Sequence, residues 1–95
     1  MFVVLLKFST NKANAKEYMD GHNAWIKQGF DDGVFLLVGS IEPAQGGSII
    51  AHNVSREELE ARVGDDPFVS ANIVTAEIIE ISLKKTDERL GFLMT

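Results

Sequence analysis

Two strand–helix–strand patterns follow one another in a chain of 95 residues, and this order constrains the fold more than any other feature. Apolar, β-branched runs bounded by turn residues predict strands, and apolar residues three and four apart predict helices. The strands are predicted at residues 2–8, 34–40, 48–54 and 72–83, and the helices at about 14–30 and 55–63. The βαββαβ order predicts an α+β, ferredoxin-like sandwich, in which two helices cover one face of a four-stranded antiparallel sheet.

Turn and capping residues set the boundaries of these elements. Pro43 and a glycine pair predict a loop over residues 41–47. Ser55 and Glu58 form an S-x-x-E capping box, which predicts the start of the second helix, and Gly64 is a good left-handed residue for its end. At this length the chain is predicted to form a single domain over residues 1–95.

Composition and charge exclude several classes of function. Nine basic and fourteen acidic residues give a net charge of -5, and the basic residues are scattered, so we expect no binding to nucleic acid. The absence of cysteine excludes disulfides and thiolate nucleophiles and suits the cytoplasm. No apolar run approaches the roughly 18 residues that cross a bilayer, so no membrane association is expected.

Apolar residues on both faces of the predicted sheet indicate a partner. The first and fourth strands carry them at both alternating positions, in "FVVLL" and "IIEI", whereas two helices can cover only one face. The tail over residues 84–95 adds Leu90, Phe92, Leu93 and Met94. We therefore expect a homodimer packed sheet to sheet, with the tail lying across the partner.

His22 lies in the middle of the apolar face of the first helix. A buried imidazole with an unsatisfied nitrogen costs roughly 1–3 kcal/mol, so His22 needs a partner or a cavity. The residues alone favour a core histidine bonded to a backbone carbonyl over a catalytic base. His52, near the end of the third strand, is expected at the surface or rim. No H-x-H or H-x-x-x-H spacing supports a metal site.

Asp66 is the carboxylate best placed to contact His22. Pro67 favours extended geometry at Asp66 and suits the first turn of a helix, so Asp66 is predicted to cap "PFVSAN". Capping would occupy one carboxylate oxygen and leave the other for the histidine ring. We expect Asp66 at the rim of the site and His22 pointing inward; Asp65 is the alternative partner.

The segments "HNAWIKQG", "GGSIIAHNV" and "DDPFVSANIVTAEIIEI" resemble the YCII-related family over nearly the whole chain. The most specific part of this resemblance is the aspartate-proline-aromatic triplet at Asp66, coupled to the helix histidine at His22. The resemblance implies the dimeric α+β barrel fold and a His-Asp pair in a pocket. Two positions depart from the family pattern. Met19 replaces an arginine, which weakens the case for an anionic substrate, and Gly39-Ser40 replaces a glycine-proline.

The resemblance makes His22 and Asp66 candidate catalytic residues and Trp25, Gly39 and Phe68 candidate residues of the substrate pocket. We hypothesise a cofactor-independent enzyme in which His22 is the general acid/base and Asp66 orients it, acting on a small aromatic or enolisable molecule by elimination or isomerisation. The alternative is a small-molecule-binding or accessory protein without catalysis. A third interpretation is that the pair only joins the first helix to the "DDPF" turn.

Overall fold

The computed structural model describes residues 1–94, and it confirms the ferredoxin-like α+β fold. The elements are β1 (Phe2–Phe8), α1 (Ala15–Asp31), β2 (Phe35–Ile41), β3 (Gly46–Ala51), α2 (Arg56–Gly64), α3 (Pro67–Ser70) and β4 (Val74–Glu80). The four strands form one antiparallel sheet in the order β2-β3-β1-β4, so the first strand lies in the interior of the sheet. Short 3₁₀ helices cover Lys12–Asn14 and Glu88–Met94.

Alternation along β1 separates the two faces of the sheet. Phe2, Val4 and Leu6 are buried under the helices, and Val4 pairs with Ile49 of β3 and Ile78 of β4. Val3 and Leu5 point to the opposite face and stay partly exposed. The hydrophobic core therefore lies between the sheet and the helices.

The face away from the helices carries an apolar row across all four strands. Val3 pairs with Ile50 and Ile79, and Ile50 pairs with Leu37, so these four side chains share one face of the sheet. Leu37 and Ile79 are 52% and 40% exposed. The single chain thus leaves uncovered the face that the sequence predicts to be apolar. Over residues 1–94, no helix is long and apolar enough to span a membrane.

Two boundary predictions based on glycine are wrong. Gly46 and Gly47 open β3 rather than lying in a loop, and Gly46 has φ +136° at a point where a Cβ would overlap the carbonyl oxygen of Leu6. Close approach between strands, rather than a turn, requires that glycine. Gly64 stays within α2, and the helix is capped by Asp65 in right-handed geometry.

Gly29 allows α1 to approach the sheet. It is the buried residue of this helix, and a Cβ at this position would overlap the ring of Phe35. The same ring meets Trp25 edge to face, with ring centroids 5.2 Å apart. The contact between Gly29 and Phe35 therefore sets the depth at which α1, and everything it carries, sits on the sheet.

We predict that Gly29→Ala destabilises the fold by about 1–3 kcal/mol, the usual cost of overpacking a core. The matched control is Gly64→Ala, because nothing lies within 4 Å of a Cβ at that helical position. It should be neutral or stabilising by up to about 1 kcal/mol. Urea unfolding followed by circular dichroism measures both, and equal midpoints for the two variants would contradict the packing argument.

Candidate functional site

A hydrogen bond joins α1 to the connection between α2 and α3. Nδ1 of His22 lies 2.8 Å from Oδ1 of Asp66, across 44 positions of sequence. The predicted contact is therefore present. The Asp66 side chain is completely buried, and His22 keeps 13% of its side-chain surface exposed.

Local sequence places the carboxylate. Asp66 has extended backbone geometry (φ −64°, ψ 122°) before Pro67, and its Oδ1 accepts a 3.0 Å hydrogen bond from the backbone N–H of Phe68. The predicted N-cap is confirmed. A four-residue helix that is capped by a buried side chain thus aims the carboxylate at α1.

The expected division of the two carboxylate oxygens is wrong. Oδ1 accepts from both Phe68 N–H and His22, while Oδ2 is buried and has no hydrogen-bond partner among residues 1–94. The rim position expected for Asp66 is wrong as well, because Asp66 is the buried member of the pair and His22 the partly exposed one. The core residues Val63 and Phe68 lie on either side of this connection in sequence, and both are buried as Asp66 is.

Two aromatic side chains fix the orientation of the imidazole. The Phe68 ring stacks on the His22 ring with centroids 3.9 Å apart and planes 3° apart, and Trp25 lies at 6.0 Å and 23°. Phe68 covers one face of the His22 ring, so a ligand would reach the ring at its edge more readily than at that face. With Nδ1 engaged by Asp66, Nε2 is the ring nitrogen that has no hydrogen bond within residues 1–94.

The predicted pocket residues divide into two groups. The rings of Trp25 and Phe68 stack against that of His22. Gly39 pairs with Ser48 and lies on the sheet face opposite the helices, with nothing within 4 Å of a Cβ. The single chain therefore does not bring Gly39 to the His22 site. Half-buried His52 contacts the tail instead, with its ring 5.7 Å from that of Phe92.

Arg62 supports the site, and sequence reasoning missed it. Its backbone carbonyl accepts a 2.9 Å hydrogen bond from the indole N–H of Trp25, and its guanidinium lies 3.0 Å from the carboxylate of Asp32. Two hydrogen bonds lower the pKa of the exposed Asp32 carboxyl: the one from Gln28, which has the larger effect, and the one from Arg62. Every residue has a backbone carbonyl, so the sequence contains no signal that could have identified Arg62 as the partner of Trp25.

Within residues 1–94, no three histidine or acidic side chains come together in a group that could hold a metal ion. The polar side chain that contacts His22 is that of Asp66.

We predict that Asp66→Ala lowers the free energy of unfolding by about 2–4 kcal/mol, because it removes a helix cap and leaves a buried donor unpaired. Asp66→Asn should cost less, since the amide oxygen can still cap the N–H of Phe68. Exposed Asp65 provides the control, and Asp65→Ala should change stability by no more than about 0.5 kcal/mol. Chemical denaturation distinguishes the three, and an Asp66→Ala protein as stable as the control would show that the buried contact contributes little.

Comparison with known proteins identifies the family. A model of the YCII-related domain matches residues 1–82. No curated protein matches the chain. Among solved structures, the chain is similar to 5-chloro-2-hydroxyhydroquinone dehydrochlorinase from Burkholderia phenoliruptrix, in a complex with 2,5-dihydroxybenzoquinone. The TM-score is 0.68 at 14% sequence identity, and the match covers 86% of this chain and 94% of that one. At this identity the likeness shows the fold.

Proposed function

The chain belongs to the YCII-related family, and on that premise we propose that it is a cofactor-independent enzyme in which His22 transfers a proton to or from a small substrate. The single observation that carries this proposal is the 2.8 Å contact between His22 Nδ1 and a completely buried Asp66 carboxylate. A buried carboxylate paired with a partly exposed imidazole is the arrangement expected when one nitrogen is held and the other is offered to a ligand.

The geometry supports a defined tautomer. A carboxylate only accepts hydrogen bonds, so Nδ1 of His22 is the donor in its contact with Asp66. The neutral ring then carries its lone pair on Nε2, at the exposed edge. In this proposal Nε2 is the general base, and Asp66 keeps the ring oriented and stabilises the imidazolium that forms.

The substrate class follows from the side chains around the ring. Trp25 and Phe68 offer flat apolar surface beside His22, and this suits a small aromatic or enolisable molecule. Proton removal by Nε2 with departure of a leaving group is an elimination, and return of the proton at another carbon is an isomerisation. The similar solved structure is named as a dehydrochlorinase of a hydroxylated, chlorinated ring, which supports the choice of elimination.

We predict that His22→Gln slows turnover by about 10²-fold or more, the usual contribution of a general base, and leaves ligand binding largely intact. The measurement is chloride release from 5-chloro-2-hydroxyhydroquinone and from a panel of chlorinated phenols and enol acids. His52→Gln is the matched control, because His52 contacts the tail rather than Asp66, and it should retain full turnover. Saturable binding without turnover in the unmodified protein would instead identify a binding or accessory protein.

The open sheet face supports a further part of the proposal, a homodimer packed sheet to sheet. Val3, Leu37, Ile50 and Ile79 form one apolar row, and a second copy of the same face would bury it. The tail, with Leu90, Phe92 and Met94 about half exposed, would then lie across the partner.

Light scattering at micromolar concentration should return twice the 10.5 kDa of the chain. Leu37→Lys combined with Ile79→Lys should give a monomer, since like charges would meet across the interface. Ala24→Lys, on the exposed side of α1, should leave the dimer intact. Removal of residues 90–95 should weaken the dimer. A mass of 10.5 kDa for the unmodified chain is the result that excludes it.

A further inference from the structure

Gly21 lies beside Pro67 at the point where α1 and α3 meet. A Cβ on Gly21 would lie 3.1 Å from Cγ of the Pro67 ring and 3.7 Å from its Cβ. Carbon atoms in favourable van der Waals contact are about 3.5–4.0 Å apart, so even a methyl group at this position would press on the proline ring. The two helices can therefore meet at this distance because residue 21 has no side chain.

The contact between Gly21 and Pro67 is adjacent, on both helices, to the contacts that hold the imidazole. His22 follows Gly21 in α1, and Asp66 and Phe68 flank Pro67. Nδ1 of His22 lies 2.8 Å from Oδ1 of Asp66, and the rings of His22 and Phe68 stack at 3.9 Å. A change in the separation of the two backbones at Gly21 would therefore change both of these distances.

Pro67 cannot move away from a methyl group on Gly21 without disturbing the same pair. Its ring is covalently closed and has little freedom to turn aside. Asp66 and Phe68 on either side of it are buried, and the backbone N–H of Asp66 and the carbonyl of Phe68 are both hydrogen-bonded. If Pro67 moves, Asp66 moves with it; if α1 moves instead, His22 does. Either movement alters the hydrogen bond between the imidazole and the carboxylate.

We infer that Gly21 is a positioning residue for the proton transfer proposed for His22. Its lack of a side chain lets α1 approach α3 closely enough for the imidazole to reach Asp66 and to stack on Phe68. The catalytic part of this inference rests on the proposed function, whereas its structural part rests on the contact with Pro67. Gly21 acts through His22 rather than on the substrate.

The test compares Gly21→Ala with the unmodified protein by turnover and by the NMR resonance of the proton on Nδ1 of His22. We expect turnover to fall about three- to tenfold, since displacement of a catalytic group by a fraction of an ångström is costly. The resonance should move upfield, because a longer hydrogen bond to a carboxylate deshields its proton less. It is assigned by its absence in His22→Gln. Gly64→Ala is the matched control, because nothing lies within 4 Å of a Cβ there, and it should alter neither quantity.

A second substitution tests whether Pro67 is the cause. Pro67→Ala removes Cγ, the atom nearest to a Cβ on Gly21, so the double variant should regain turnover and resonance close to those of Pro67→Ala alone. Should Gly21→Ala fail to fold, recovery of folding in the double variant would support the same contact. Failure of both to fold would count against it.

The two measurements separate this inference from the proposed function. An unchanged resonance in Gly21→Ala shows that Gly21 does not set the contact, and a shifted resonance with full turnover shows that catalysis does not depend on it. Either result overturns the inference, as does a loss of turnover that persists in the double variant. If the unmodified protein acts on none of the substrates, the proposed function fails, and the resonance alone decides whether Gly21 positions the pair.

Discussion

The structure of the candidate site depends on one buried carboxylate. Removing a carboxylate from water costs several kcal/mol unless hydrogen bonds replace those to the solvent, and Asp66 is completely buried. Two donors reach its Oδ1, the backbone N–H of Phe68 at 3.0 Å and the ring of His22 at 2.8 Å. One donor is local and the other is 44 positions away, so the same atom closes a helical turn and attaches α1 to it. The position of His22 is therefore a consequence of the need to satisfy Asp66.

The need to satisfy buried Asp66 bears on both interpretations of the His22–Asp66 pair, the structural one and the catalytic one. A contact that only fastened α1 to the following turn would explain the hydrogen bond, but it would not require His22 to keep an exposed edge. Phe68 supplies both the backbone donor to Asp66 and the ring that stacks on His22 at 3.9 Å. One short helix thus orients the carboxylate and the imidazole together. Such a rigid unit is suited to proton transfer, because little reorganisation is needed when the ring gains charge.

The sequence predicted those features that arise within a few residues. The cap at Asp66 follows from the proline after it, the start of α2 from Ser55, and β1 from an unbroken apolar run. Features set by distant parts of the chain were missed. Gly46 lies in a strand, where the carbonyl of Leu6 on the neighbouring strand leaves no room for a side chain. Asp66 is deeper than expected, and the core residues Val63 and Phe68 lie on either side of it in sequence. Local propensity describes what a segment can form, and packing decides where it lies.

The identity of residue 66 is best explained by the histidine. Asparagine would cap the N–H of Phe68 as well as aspartate does, and it would avoid the cost of burying a charge. Its amide nitrogen, however, would then occupy the place of Oδ2, a buried position with no hydrogen-bond partner within the described chain. The carboxylate accepts only, so it fixes the proton of His22 on Nδ1 and can balance a positive charge on the ring. Capping alone does not explain a buried charge at this position, whereas the proton transfer proposed for His22 does.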